Sequence, residues 1–205
     1  MKRSSHLLVS ISMATALCAS VSLAAEVPSQ TFSINNATVG ITTLAEVQKS
    51  YGKAATSRVS REDEADVTIC YASSSPKGKS FLVFESGSMG GFKRITGFRI
   101  SYLRPGRNCV STKINVSALT TGNGVLLGQS LADFKKAIPV EFKRRGSELI
   151  YEGDGRRAAT QEELKRLRAK WPDAKQDYFD VTTTLKAKFK DNRLIDFYIH
   201  KIESY

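Results

Sequence analysis

Two ten-residue segments of this chain align without gaps, so any fold that holds both must accommodate two matching helices. Thr43-Leu44-Ala45-Glu46-Val47-Gln48-Lys49-Ser50-Tyr51-Gly52 matches Ser130-Leu131-Ala132-Asp133-Phe134-Lys135-Lys136-Ala137-Ile138-Pro139. Each segment opens on a hydroxyl residue three places before a carboxylate. That spacing caps helix-start amides, fully for Thr43/Glu46 and with a shorter side chain for Ser130/Asp133. Apolar side chains recur at helical spacing, Leu44, Val47 and Tyr51 in one copy and Leu131, Phe134 and Ile138 in the other. Gly52 and Pro139 end the two helices.

Strand patterns follow each helix. In the first half, 67–71, 81–85 and 95–102 are rich in β-formers and separated by turn clusters at 73–78, 87–91 and 104–106. In the second half, 148–152 reads as a strand, and 179–190 with 194–202 as a hairpin turning at Asp191-Asn192. The last strands correspond, Gly97-Phe98-Arg99-Ile100 with Asp196-Phe197-Tyr198-Ile199. An extra helix starts at the capping box Thr160-x-x-Glu163, carries Leu164, Leu167 and Trp171 on one face, and stops at Pro172. Its other face bears Lys165, Arg166, Arg168 and Lys170 and reads as solvated. The expected fold is α+β, with two similar halves, each a helix packed on an antiparallel β-meander, and one extra helix in the second half. The halves span 25–119 and 125–205, joined by a linker at 120–124.

The stretch from Gly128 to Phe134, followed by a meander and present twice, resembles the repeat unit of the β-lactamase inhibitory protein family. It is also similar to the unit in SmpA/OmlA-type outer-membrane-assembly lipoproteins. Three features depart from that pattern: an additional residue between Gly40 and Val47, the extra helix, and the lack of a lipid-attachment cysteine. The resemblance implies a non-enzymatic α+β scaffold whose sheet face binds another protein, in the bacterial envelope.

The amino terminus sets the compartment. Lys2 and Arg3 precede an apolar run from Leu7 to Ala19, and Ser22-Leu23-Ala24 offers small residues where a signal peptidase reads, so 1–24 is expected to be a signal peptide. Leu17 stands where lipid attachment at Cys18 needs a small residue. Cleavage leaves Cys70 and Cys109, expected to form a structural disulfide in the periplasm or outside the cell. It also leaves 29 of the 31 basic residues against 20 acidic ones, an excess that favours acidic partners.

Chemistry is sparse. His200 is the one histidine left after cleavage, alternating with Asp196 and Tyr198 on one strand face; a serine or cysteine nucleophile normally needs such a base held by a carboxylate. No metal-ligand spacing and no cofactor motif is present, and Glu152-Gly153-Asp154-Gly155 reads as a turn. A carboxylate-dependent hydrolase would draw on Glu148, Glu152, Asp177 and Asp180. The loop Gly87-Ser88-Met89-Gly90-Gly91 precedes a strand, which suits a hairpin and not a phosphate loop. Met89 and Phe92 at its tip either anchor in a partner or fold back over the core. Lys186, Lys188 and Lys190 alternate with Leu185, Ala187 and Phe189, placing three ammonium groups on one sheet face about 7 Å apart. With Lys143-Arg144-Arg145 and Arg156-Arg157 they suit an anionic lipid or cell-wall polymer, or simply guard the sheet against edge pairing. Nucleic acid is not an expected partner, because the aromatic positions share the apolar face. The leading expectation is an exported protein-binding module, an inhibitor or immunity-like factor, with a protein partner in the envelope.

Overall fold

The computed structural model describes residues 26–205 except 62–63, 76–77 and 89–90. The signal-peptide segment 1–24 and Met89 lie outside the described residues. The described residues form an α+β fold of three α-helices and one large, mainly antiparallel sheet. The helices are α1 (Leu44–Tyr51), α2 (Leu131–Ala137) and α3 (Gln161–Lys170). After a two-stranded ribbon of β1 (Ser33–Ile34) and β2 (Ala37–Thr38) come β3 (Ser57–Arg61), β4 (Glu64–Ser75), β5 (Gly78–Ser86) and β6 (Gly97–Ser101). There follow β7 (Val110–Ser111), β8 (Lys143–Arg145), β9 (Glu148–Ala158), β10 (Tyr178–Lys190) and β11 (Arg193–Ser204). The nine-stranded sheet has the order β3-β4-β5-β6-β11-β10-β9-β8, with β7 added parallel to β4 beyond the end of β3.

The helix starts obey the chemistry of their caps. Thr43 and Thr160 each accept from the amide three residues on while Glu46 and Glu163 reach back to the cap amide, and Ser130 makes the first of these bonds only. Amphipathic spacing then turns Leu44, Val47 and Tyr51 of α1, and Phe134 of α2, onto the same core. The core sits on one face of the sheet, against Ile69 and Tyr71, Leu82 and Phe84, Phe98 and Ile100, Phe197 and Ile199, and Leu185 and Ala187. An aromatic chain crosses it from helix to helix. Tyr51 meets Phe84 at 5.4 Å between ring centroids, Phe84 meets Phe98 at 6.5 Å, Phe98 meets Phe197 at 6.3 Å, and Phe197 meets Phe134 at 5.9 Å. Buried residues from both sides of 120–124 share this core. Thr121 is buried, and Asn123 donates to Thr31 Oγ1 and to the Ala137 carbonyl at 2.8 Å each.

The structure departs from the sequence reading in several places: 73–75, read within a turn cluster, extend β4, and β3 and β8 had no sequence counterpart. Residues 153–155 are not a turn: β9 runs straight through them, paired with Val181, Thr182 and Thr183. The Tyr151 ring lies along the strand over Gly153, so a Cβ at 153 would require that ring to move. Trp171 also leaves the apolar face of α3. The helix ends at Lys170, Trp171 turns out at φ −132°, and its ring is exposed under the Lys170 ammonium.

The segment after β6 crosses the far side of the sheet as a strap. Tyr102 N donates to Ile195 O, Arg107 Nη1 donates to Thr68 Oγ1, and Cys109 is bonded to Cys70 before the chain joins the β4 edge as β7. Cys70 faces away from the helices and lies opposite Val83. Val83 also points away from the core yet is buried, which the strap above it explains.

Candidate recognition face

Alternation along the strands sends every second side chain of β6, β11, β10 and β9 away from the helices. Register then assembles three rows across this face. Arg99, Tyr198, Lys186 and Ile150 form the middle row; Ser101, Asp196, Lys188 and Glu148 flank it on one side, and Gly97, His200, Thr184 and Glu152 on the other. The strap covers the neighbouring strands β4 and β5, while none of the three described α-helices lies on these rows.

The middle of the face is tied together by polar contacts. Arg99 grips Asp196 with two parallel bonds, Nε to Oδ1 at 2.6 Å and Nη2 to Oδ2 at 2.9 Å. The carboxylate raises the Arg99 pKa further, chiefly through this bond. Tyr198 leans the other way and donates to Glu85 Oε2 at 3.1 Å across β6. Gly97 leaves the lane open: a Cβ there would lie 2.6 Å from the Ile199 carbonyl. The His200 ring stacks on Tyr198, 6.1 Å between centroids at 13°.

Asp196 is only 4% exposed, so its charge depends on Arg99. Arg99→Ala is expected to destabilise the fold by about 2–3 kcal/mol, because it strands a buried carboxylate. Adding Asp196→Asn to that variant should recover more than half of the loss. Urea unfolding of the two single variants and the double variant measures this coupling directly.

A second feature lies at the far end of β11. A recess of about 370 Å³ is lined by Val39, Arg94, Ile95, Phe179, Lys201 and Ile202 among others. Its wall is an ion-pair network in which Arg157 donates to Glu163 at 3.0 Å and to Glu203 at 2.6 Å, and Lys201 contacts Glu203 at 2.7 Å. Arg157, with the Thr160 cap, holds the Glu163 carboxyl down to about 2. Burial pushes Glu203 up, but its bonds to Arg157 and Lys201 outweigh that and leave it lowered. A carboxylate whose pKa falls on folding stabilises the fold above its unfolded value near 4.5 and loses that contribution as pH drops toward 2. The urea midpoint of Glu163→Gln is therefore expected to fall less steeply than that of the wild type between pH 4.5 and 2. Glu163 is about a third exposed, so screening keeps the difference small.

The sequence-derived residues scatter over the molecule. Cys70 and Cys109 form the disulfide and pin the strap. Lys186 and Lys188 lie half-buried on the open face, and Lys190 is exposed at the hairpin end of β10. Phe92 is 47% exposed with φ +55°, away from the lysines in the β5–β6 connection. It does not close over the core. Across the sheet Lys188 stands opposite both Asp196 and Glu148. Arg99 and Glu85 had no local signal, because their partners are 97 and 113 residues away. Among the described residues no group of three or more His, Cys, Asp or Glu gathers in metal-binding fashion. No helix among them is long and apolar enough to cross a membrane. The disulfide suits an oxidising, non-cytoplasmic compartment.

Compared with protein-family models, with curated proteins and with solved structures, the chain matches none.

Proposed function

We propose that this chain is an exported, non-catalytic recognition module that binds a protein partner of the bacterial envelope through the helix-free face of its sheet. The observation that carries this reading is the pre-arranged lattice Glu85–Tyr198 and Arg99–Asp196 on that face. Tyrosine and arginine held half-buried in fixed rotamers are the side chains that dominate protein interfaces, since little conformational entropy remains to be lost on binding.

The reading includes two halves sharing one plan, as in the family the repeat resembles. Its support is a pattern of hydrogen bonds that occurs twice. Ile95 N bonds Thr42 O as Leu194 N bonds Gln129 O, and Tyr102 N bonds Ile195 O as Lys201 N bonds Thr96 O. The caps are bridged alike, Thr43 to Arg94 and Ser130 to Arg193. In the β6–β11 pair, Phe98 lies opposite Ile199 and Ile100 opposite Phe197, so exchanging the two matched tetrapeptides returns the same register. On this reading a pseudo-twofold axis through the Arg99–Tyr198 pair would relate these bonds, and the lattice would lie on the seam between the halves.

An anionic lipid or cell-wall polymer fits this face less well, because Lys186 and Lys188 share it with Glu148, Glu152 and Asp196. Affinity capture from bacterial envelope extracts separates the readings. The wild type should retain a discrete protein through stringent washing, and Tyr198→Ala combined with Lys186→Glu should lose it. Retention of lipid or glycan with no protein overturns the proposal.

A further inference from the structure

Among the described residues, the cleft beneath the strap gathers three cations and no carboxylate. Its floor is Ala72, Ser74, Lys79 and Phe81 from β4 and β5, its roof is Arg104, Arg107, Asn108 and Cys109 from the strap, and Ser111 of β7 closes one side, around about 370 Å³. Three of the described arginines elsewhere are neutralised by acids, Arg99 by Asp196, Arg157 by Glu163 and Glu203, and Arg156 by Asp180. Here the lining supplies one ammonium, two guanidinium groups, an amide and two hydroxyls, nearly all of them hydrogen-bond donors. Arg107 is oriented by its bond to Thr68 Oγ1, and the strap that carries both arginines is fixed by the Cys70–Cys109 bond at the cleft wall. One carboxylate would need a single guanidinium. Three cations lining one cleft suit a group with more charge and three or more acceptor oxygens.

We propose that this cleft is a binding site for a phosphate group, as the free ion, a phosphomonoester or an exposed lipid headgroup. It lies on β4 and β5, apart from the Tyr198 lattice, and stands whether or not that face binds a protein. The floor is partly apolar, with Ala72 half-buried and Phe81 buried beside it. Lys79 and Arg104 are exposed at the rim, so both are available to an incoming anion.

Titration calorimetry with inorganic phosphate at low ionic strength tests the site. Saturable binding of one phosphate per chain is expected. Lys79→Gln combined with Arg104→Gln should weaken it by about tenfold or more, since each removes a charge-assisted contact. Lys186→Gln combined with Lys188→Gln removes the same charge from the sheet face and should leave affinity within about twofold. Reduction of the disulfide, at a temperature where circular dichroism shows the fold retained, should also weaken binding by releasing the strap. If reduction unfolds the chain, the two lysine and arginine variants still decide the matter. A parallel arm measures retention on phosphatidylcholine vesicles with and without phosphatidic acid. Retention that needs phosphatidic acid identifies a headgroup as the source, and calorimetric binding without retention identifies a soluble phosphate. No saturable phosphate binding, or an equal loss in the sheet-face lysine variant, overturns the proposal.

Discussion

Replacing Cys70 and Cys109 together by serine is expected to lower the melting temperature by roughly 8–16 °C. The bond closes a loop across 39 positions. Chain-entropy arguments assign such a loop about 4 kcal/mol, and a domain of this size loses about 2–4 °C per kcal/mol. Local consequences add to this. Without the bond, the strap is anchored mainly by the Arg107–Thr68 contact and the short β7 pairing, so Val83 and Phe81 gain access to water. Thermal unfolding followed by circular dichroism, with and without reductant, gives the number. A double-serine variant that melts within 2–3 °C of the wild type, roughly what 1 kcal/mol gives, would show that the strap does not depend on its cross-link.

The second large effect is expected at Phe197. Its ring is fully buried and touches Phe98 at 6.3 Å and Phe134 at 5.9 Å, so it joins the strand seam to α2. Phe197→Ala should cost about 4 kcal/mol, from lost burial and from the cavity left behind, with Phe197→Leu costing markedly less. Because the aromatic chain reaches from Tyr51 to Phe134, the loss should be felt by the whole sheet. The variant should unfold in one transition, with far-UV and near-UV circular dichroism coincident in urea. Two separated transitions would mean that the stretches before and after 120–124 fold independently.

Much of this fold is written in local patterns. Cap chemistry marked all three helix starts, since Thr43, Ser130 and Thr160 act within three residues of their partners. Strand positions followed from β-formers between turn clusters, and the hairpin at Asp191-Asn192 from the positive φ those residues tolerate. Local pattern failed where tertiary packing overrides it. Gly153 and Gly155 look like turn residues, yet the strand continues through them, paired with Thr183 and Val181 of β10. Trp171 keeps helical spacing with Leu164 and Leu167, but the helix has stopped before reaching it.

The site was less legible than the fold. Alternation put Asp196, Tyr198 and His200 on one strand face, and the matched tetrapeptides placed Arg99 in a strand equivalent to theirs. Nothing local says that these two strands pair with each other, or in which register. Arg99 therefore had no visible partner until β6 lay against β11. The same limit governs the phosphate cleft. Lys79, Arg104 and Arg107 come from a hairpin and a turn, and only the strap's path over the sheet brings them together.

Recognition through the seam face can be tested by placing a photoactivatable cross-linking residue at Lys186 or Ile150, and separately at Lys165 on the solvent side of α3, then irradiating the protein in envelope extract. A discrete cross-linked protein should form from the two seam positions and not from Lys165, and it should disappear when Tyr198→Ala is added. Cross-links that form equally from all three positions, or none at the seam, would contradict the account.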